Sequence, residues 1–406
     1  MIRELTADCV HCGFCLPTCP TFVLWREEMD SPRGRIHLMD AHLDGTVTLN
    51  DTVVEHFDRC LGCMACVSSC PSGVRYDRLI ETTRAAVEDE YARGFGEILL
   101  RGLLFRVLPY PGRVRAALTL AAGFRGAPLP QKLRPLVDLA PTWNTHGDVA
   151  AVTHPAGEPR GRVGLLTGCV QRAAFSDVNQ ATARVLAADG FEVVAPRQGC
   201  CGALSVHAGR VDEGRKLAGR LVAVFEDVDT VVVNSSGCGS HLKDLEWLLP
   251  DENARAFSAK IRDVGEFLGE VAPIGRRHPL PLKVAFQDSC HLRHAQRLPL
   301  AASSSLRRIP ELELVEPAEQ DLCCGSAGIY NLVQPTAARE LGDRKAVHVL
   351  ATGAQLVASA NPGCLVQISA ALRRAKQPLP ALHPIELIDA SISGVSAGKL
   401  RATARR

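Results

Sequence analysis

The sequence predicts a multidomain chain in which an α-helical N-terminal domain is followed by two repeated α/β domains. Two observations predict the first domain: a pair of closely spaced cysteine runs, and helical spacing of the apolar residues around them. A third observation predicts the remainder, because apolar β-branched strands alternate there with helical stretches in two successive copies.

The two cysteine runs share the spacing C-x2-C-x2-C-x3-C-P. Three thiolates two residues apart can bind one [4Fe-4S] cluster from a single loop, whereas the fourth binds the other cluster of a bacterial ferredoxin. The spacing therefore assigns the first cluster to Cys9, Cys12, Cys15 and Cys70. It assigns the second cluster to Cys19, Cys60, Cys63 and Cys66. Zinc, the alternative for paired C-x2-C units, would leave the third and fourth cysteines of each run unexplained.

Residues 1–92 are predicted to form this two-cluster domain. Between the runs, the stretches SPRGRIHLMDAHLDG and TLNDTVVEHFDRC carry apolar residues at helical spacing, which predicts a helical pair that brings the runs together. A further helix is predicted from Tyr76 to Tyr91. Since strand-like alternation is missing, we expect an α-helical two-cluster ferredoxin domain rather than the small β-rich kind.

Residues 93–160 are predicted to be a basic helical and linker segment, with an exposed linker from Pro141 to Arg160. Between Gly94 and Val137 the only acid is Glu97. The basic residues there are Arg101, Arg106, Arg113, Arg115, Arg125, Lys132 and Arg134. Two interpretations stay open: an amphipathic surface that meets anionic lipid or a partner subunit, or short helices packed against their own protein.

The remainder contains an internal repeat, with domains predicted at 161–280 and 281–390 and a basic, frayed tail at 391–406. The first copy carries Cys169, Cys200, Cys201 and Cys238. The second copy carries Cys290, Cys323, Cys324 and Cys364. Alternating strands and helices predict a parallel sheet covered by helices. Because the single cysteines follow strands, each copy is expected to gather four thiolates at one sheet edge.

This pattern resembles the CCG repeat, or cysteine-rich domain, of heterodisulfide reductase and its relatives. The resemblance implies five cysteines per copy and an unusual noncubane [4Fe-4S] cluster, but here the fifth position is His241 in one copy and Gln367 in the other. Four thiolates could still hold a cubane, and His241, His291 or His294 could supply nitrogen to iron or zinc. The alternative is that the paired cysteines are small buried hydrophobes. We expect at least one further cluster, and ordinary polar roles for His207 and His348.

Composition and missing motifs limit the function. A net charge of +2 gives no reason to expect a nucleic-acid partner, and the 16 cysteines in metal-ligand spacings, with no export signal or membrane-spanning run, predict a cytoplasmic protein. The chain lacks a phosphate-binding P-loop, a dinucleotide-binding glycine motif and a nucleophile elbow. The substrate-oxidising cofactor is therefore expected on a partner chain.

Over nearly its whole length the chain resembles the iron-sulfur subunit of glycolate oxidase. The resemblance is carried by CVHCGFCLPTCPTF, SPRGRI, DRCLGCMACVSSCPSGVRY, NQATARVL, GCCGAL, SSGCG, HAQ and LCCGSAGIYNL. It implies two related FAD-binding partner subunits that oxidise glycolate to glyoxylate, with electrons leaving towards the quinone pool at the inner face of the cytoplasmic membrane. The alternatives are an iron-sulfur subunit of a lactate or glycerol-3-phosphate dehydrogenase, which shares this domain order, and a heterodisulfide-reductase-like enzyme.

Overall fold

The computed structural model describes residues 2–124, 127, 134–140, 147–299 and 301–403. Several sequence-based expectations concern residues outside these ranges. They are the basic residues Arg125 and Lys132, the first part of the predicted linker (141–146) and the last three residues of the tail (404–406).

The N-terminal domain is α-helical, as the sequence predicts, and residues 2–92 contain no strand. Its helices are α1 (Ile2–Ala7), α2 (Pro20–Trp25), α3 (Pro32–Leu43), α4 (Asp51–Asp58), α5 (Ala65–Ser68) and α6 (Tyr76–Glu90). The Ser31 side chain caps α3 by accepting a hydrogen bond from the Gly34 backbone, and Asn50 caps α4 in the same way. The two caps fix the helical pair between the cysteine runs.

A buried ionic network joins the two halves of this domain. Asp30 has no exposed side-chain area and lies 2.9 Å from both His56 Nδ1 and Arg59, and 3.4 Å from the buried Arg35. Arg35 also donates from Nε to the carbonyl of His56 at 2.6 Å. Because a buried charge needs partners, these contacts tie the turn after the first run to the helix before the second.

The segment from 93 to 160 contains α7 (Phe95–Val107), α8 (Pro111–Gly123), α9 (Arg134–Asp138) and the short strand β1 (Val152–Thr153). Arg101 is packed against the protein, where it lies 2.7 Å from Glu97 and 3.4 Å from Asp58. Part of the predicted linker joins the first sheet, since β1 pairs antiparallel with the strand at 191–194. The segment thus combines helices docked on the protein with an edge strand.

Two sheets confirm the predicted duplication. The first contains β1, β2 (Gly161–Leu166), β3 (Phe191–Val194), β4 (Val231–Val233) and β5 (Ile261–Asp263), in the order β1-β3-β2-β4-β5. The second contains β6 (Leu282–Phe286), β7 (Leu312–Val315), β8 (Leu356–Ala358) and β9 (Ala381–Leu382), in the order β7-β6-β8-β9. Apart from β1 all pairs are parallel, and the copies share one strand order.

Helices cover both sheets, as expected for parallel strands that are apolar on both faces. The first copy has α10 (Val170–Ala174), α11 (Ser176–Ala188), α12 (Ala203–His207), α13 (Val211–Val224), α14 (Ser236–Lys243), α15 (Glu252–Lys260) and α16 (Val264–Glu270). The second has a π-helical turn (His291–Ala295), α17 (Ala301–Leu306), α18 (Tyr330–Val333), α19 (Pro335–Ala351), α20 (Pro362–Arg374) and α21 (Pro384–Ile392). The predicted frayed tail instead contains α22 (Ala397–Thr403), whose Leu400 is buried.

The two copies pack through reciprocal helix contacts. Helix α16, after the last strand of the first copy, packs against α17 of the second, and α21, after the last strand of the second copy, packs against α11 of the first. Arg184 and Asp389 form an ion pair of 2.7 Å across the latter contact. At the former, a Cβ on Gly265 would lie 2.7 Å from Ala302 Cα, so only glycine allows this approach.

Gly265→Ala is expected to destabilise the protein by about 1–3 kcal/mol, because the added methyl group must push the backbone of α17 away. The matched control is Gly269→Ala on the same helix, where the nearest atom to an added Cβ is Ser304 Oγ at 3.5 Å. That change should be neutral or stabilising, since alanine favours helix by up to about 1 kcal/mol. Anaerobic thermal unfolding of both variants checks this, and equal midpoints would contradict the close packing.

Candidate metal centres and the cavity between the domains

The structure brings the first four predicted ligands together. Cys9, Cys12, Cys15 and Cys70 line one small cavity of about 30 Å³. A left-handed turn at His11 and Gly13, with φ values of 52° and 86°, wraps the first run around this cavity. Burial raises the pKa of Cys15 to about 11. These thiols thus surround a common space, and burial makes Cys9 and Cys15 favour their protonated form in the absence of a cation.

The second set of four predicted ligands lies in the core of the N-terminal domain. Cys19, Cys60, Cys63 and Cys66 are all buried. Burial raises the pKa values of Cys63 and Cys66, and neighbouring thiols add to the rise. Burial alone would also raise the pKa of Cys60, but the guanidinium groups of Arg35 and Arg84 outweigh it and lower the pKa of this thiol. A cationic environment therefore favours thiolate at one position of the set.

Each repeat gathers its four cysteines at the carboxyl ends of its strands. In the first copy the Sγ atoms of Cys169 and Cys200 lie 3.4 Å apart, and in the second those of Cys290 and Cys323 lie 4.0 Å apart. Hydrogen bonding between thiols links Cys201 to Cys238, and Cys324 to Cys364. In each sheet the chain leaves the central strand (β2 or β6) for the neighbour on one side, and later adds a strand on the other side. The cysteines lie at the carboxyl end of the sheet near this change of direction, which is where such sheets bind ligands.

The turn after each cysteine pair has the same backbone in both copies. Gly202 and Gly325 both have φ of +88°, and a Cβ on either would lie within 2.7 Å of a carbonyl oxygen of the second helix after it, α13 or α19. Glycine is therefore required twice over, by the left-handed conformation and by the close approach. This explains physically why each pair is followed by glycine.

The donor sets suit iron-sulfur clusters. Thiolates are the ligands of such clusters, and cation binding would release the protons that burial helps retain on thiols such as Cys63, Cys66 and Cys323. The nitrogen ligands considered from the sequence fit less well. His291 donates from Nε2 to the Gly62 carbonyl at 3.0 Å, and His294 donates to the Asp321 carbonyl at 3.1 Å. Their other ring nitrogens accept from serine hydroxyls, so neither histidine keeps a free nitrogen.

The fifth position of the CCG pattern differs between the copies. Gln367 is buried, and its amide donates to the Ala338 carbonyl at 2.6 Å and accepts from Asn331 at 3.3 Å. His241 is also buried, but its Nε2 has no hydrogen-bond partner. Across the described residues, no three Cys, His, Asp or Glu side chains are spaced to hold a single metal ion. Neither position therefore completes a ready single-zinc site.

The N-terminal domain docks on both repeats through the loop of its second cysteine run. Leu61 and Cys63 lie in one apolar cluster with Cys323, Tyr330 and Leu341 of the second repeat. Polar contacts surround this cluster. They are the His291 bond to the Gly62 carbonyl (3.0 Å), the Ser68–His294 bond (2.6 Å) and the Arg84 bond to the His207 carbonyl (2.8 Å). The second thiol set is thus adjacent to the cysteines of the second repeat.

A cavity of about 470 Å³ lies where the three domains meet. Its wall includes Met64, His291 and His241. Met64 follows Cys63 and His291 follows Cys290 in the chain, and His241 is hydrogen bonded to the backbone of Cys201. Residues adjacent to three of the four cysteine sets therefore lie in the wall of this cavity.

The cavity also contains an ion pair that local sequence patterns do not show. His207 Nδ1 lies 2.8 Å from Glu81, and burial tends to raise the pKa of that carboxyl, but the hydrogen bond to His207 outweighs it and the pKa is lowered. Sequence reasoning assigned His207 an ordinary polar role. Its partner lies in another domain, so no spacing signal could have found the pair. His348 does have a surface role, beside Glu319 at 3.1 Å.

Comparisons with known proteins agree with this architecture. A 4Fe-4S dicluster domain matches residues 6–74, and a cysteine-rich domain matches residues 163–243 and 284–369. The chain is 36% identical over 395 residues to the probable glycolate oxidase iron-sulfur subunit of Bacillus subtilis, covering 90% of this chain and 89% of that protein. It is 35% identical over 410 residues to the glycolate oxidase iron-sulfur subunit of Escherichia coli, covering 96% of each. The chain belongs to the glycolate oxidase iron-sulfur subunit family.

This glycolate oxidase subunit homologue is thus an iron-sulfur protein of the oxidoreductase class. A crystal structure of a hypothetical protein from Helicobacter pylori shares its fold, with a TM-score of 0.55, 9% identity, and coverage of 89% of this chain and 68% of that one. Among the helices of the described ranges, none is both long and apolar enough to span a bilayer.

Proposed function

We propose that the chain is the electron-transfer subunit of a glycolate oxidase complex, which passes electrons from FAD on two partner subunits towards the quinone pool as glycolate is oxidised to glyoxylate. The observation that carries the proposal is the packing of Cys63, in the second thiol set, against Cys323 of the second repeat. An electron-transfer protein needs its redox centres close together, and this contact continues the cysteine sets from the N-terminal domain into the repeats.

The proposed ligands are those that the spacing predicts. Cys9, Cys12, Cys15 and Cys70 would hold one [4Fe-4S] cluster, and Cys19, Cys60, Cys63 and Cys66 the other. The repeat cysteines Cys169, Cys200, Cys201, Cys238, Cys290, Cys323, Cys324 and Cys364 would hold at least one further cluster. When bound, such clusters accept and release single electrons. The protein contributes burial and nearby charge, of which Arg35 and Arg84 beside Cys60 are the clearest case.

Other dehydrogenase iron-sulfur subunits share this domain order, so the partner chains would determine which substrate is oxidised. Glycolate is proposed because the relatives at 35–36% identity bear that name. Heterodisulfide-type catalysis is not favoured. In the second copy the fifth position of the CCG pattern is Gln367, and both ends of its amide are hydrogen bonded to neighbouring groups. The oxidised substrate bond would lie beside a partner's flavin, and this chain would take no part in breaking it.

We further propose a peripheral position at the inner face of the cytoplasmic membrane, with α7 on the lipid surface. Phe95, Ile98, Leu99 and Leu103 are 54–82% exposed and recur at the spacing of one helix face. The exposed Arg106 and Arg113 follow, with Arg113 over the ring of Tyr110 at 4.2 Å. An apolar stripe beside exposed guanidinium groups suits an anionic lipid surface.

Cys63→Ser should stop electron transfer to the acceptor in the assembled complex while leaving reduction of the partner's flavin by glycolate intact. The reason is that substrate oxidation is assigned to the partner and onward transfer to this chain. Stopped-flow absorbance of the flavin, beside steady-state acceptor reduction, measures the two steps. Loss of flavin reduction in a complex that still assembles would count against the relay.

The protein should contain more iron than the about eight atoms of two cubane clusters. Iron and acid-labile sulfide analysis, with EPR during stepwise anaerobic reduction, measures this. Cys201→Ala and Cys324→Ala test the two repeats separately. At least one of them should lower the iron count by about four and remove one EPR signal. A count of about eight that neither variant changes would confine the clusters to the N-terminal domain.

The double variant Leu99→Gln, Leu103→Gln should bind vesicles containing phosphatidylglycerol more than about tenfold more weakly, because each buried leucine contributes roughly 1.5–3 kcal/mol. Val347→Gln is the matched control, since Val347 is 63% exposed on another helix. Cosedimentation measures the binding. Equal binding of the double variant and the control would rule out α7 as the lipid-facing element.

A further inference from the structure

We propose that the cavity between the three domains is a reduction site for a two-electron, two-proton acceptor of the quinone class, with His207 as the proton donor and Glu81 as the residue that positions it. This inference rests on the proposed electron-transfer function and assigns its outlet to a place in this chain. The cavity, of about 470 Å³, is large enough for a quinone ring.

The position of the cavity suits an electron outlet. Its wall includes neighbours of cysteines in both repeats and in the second set of the N-terminal domain: His241, His291 and Met64. Met64, Val206 and Trp247 also give the wall apolar surface against which a ring could pack.

The polar lining suits a carbonyl ligand. Three buried atoms of cavity-lining side chains have no hydrogen-bond partner: His207 Nε2, His241 Nε2 and Gln296 Oε1. Because an unpaired buried polar atom costs stability, such a group indicates a ligand that would satisfy it. The oxygens of a quinone accept hydrogen bonds, and the hydroxyls of its reduced form donate them, so the two redox forms together match ring nitrogens and an amide oxygen.

An anionic ligand fits less well, because three of the four arginine and lysine side chains of the wall are already paired and the fourth, Arg297, is exposed. Arg75 lies 2.7 Å from Asp77, Arg78 pairs with Asp244, and Lys243 lies 2.5 Å from Glu266. A metal ion also fits poorly, since the described residues offer no set of three donors spaced for one. The free hydrogen-bonding capacity among the buried side-chain atoms of the wall therefore belongs to the imidazoles and the amide.

Quinone reduction needs protons as well as electrons, and the Glu81–His207 pair would supply them. His207 Nδ1 donates to the Glu81 carboxylate at 2.8 Å, which leaves Nε2, without a partner in the protein, to hold and deliver a proton. Reduction of a quinone converts two ring C=O groups to C–OH, with two electrons delivered singly from the clusters that the partner's flavin reduces. Two protons pass in turn from His207 Nε2 to the ligand, and each is replaced by solvent that enters the cavity, which the 25% exposed His207 side chain borders. Atoms and charge balance with no further reactant.

The test uses the complete iron-loaded chain, reduced anaerobically with dithionite and freed of excess reductant. Its oxidation is followed with a short-chain benzoquinone and, separately, with ferricyanide, which takes one electron and no proton. His207→Gln and Glu81→Gln should slow quinone reduction by at least about tenfold, consistent with loss of a general acid. The rate with ferricyanide should stay within about twofold, so that the ratio of the rates isolates the proton step.

The matched control is His348→Gln, which breaks a histidine–glutamate pair of 3.1 Å outside the cavity and should change neither rate. The second readout is calorimetric binding of the benzoquinone to the oxidised chain, which should weaken in a Gln296→Leu, His241→Leu variant. Quinone reduction unchanged by both dyad variants, or quinone that does not bind the wild-type chain, would overturn the inference. If the wild-type chain also fails to reduce ferricyanide, the electron-transfer function itself fails; ferricyanide reduction without quinone binding refutes the cavity site alone.

Discussion

The contact between the second cysteine loop and the repeats fixes the N-terminal domain against the rest of the molecule. The Gly62 carbonyl accepts a hydrogen bond from His291, and Cys63 packs beside Cys323. Because His291 follows Cys290 in the chain, one short loop fixes the N-terminal thiols against those of the second repeat. The same loop forms part of the cavity wall through Met64. Docking, distance between redox centres and access to the cavity are therefore properties of one interface.

Burial of so many thiols has an electrostatic cost that metal binding would offset. A buried thiol resists ionisation. The pKa of Cys324 is raised to about 12, mainly by its hydrogen bond to Cys323 and secondly by burial. Iron-sulfur ligation requires thiolates, so the cations of a cluster must supply the stabilisation that the protein interior lacks. Arg35 and Arg84 supply part of it at Cys60. Stability of the N-terminal domain should consequently be coupled to its clusters.

The sequence alone predicted the features that are encoded within one segment or that recur along the chain. The cysteine spacing and the apolar periodicity of α3 and α4 lie within single segments, and the duplication is visible because both copies carry their cysteines at matching positions. The last strands, β5 and β9, were not predicted because their sequences, IRD and AL, contain no run of apolar β-branched residues. The Glu81–His207 pair was also missed. Its partners belong to different domains, and only the docked structure brings them together.

The two repeats share a backbone, but the N-terminal domain makes their roles different. The glycine after each cysteine pair has the same φ of +88°, and five residues beyond it stand His207 in the first copy and Tyr330 in the second. Tyr330 lies in the apolar cluster around Cys63, whereas His207 bonds to Glu81. One position of a duplicated fold thus serves packing beside the thiols in one copy and proton chemistry in the other. Duplication alone would give two equivalent sites; a single domain docked across both copies requires them to diverge.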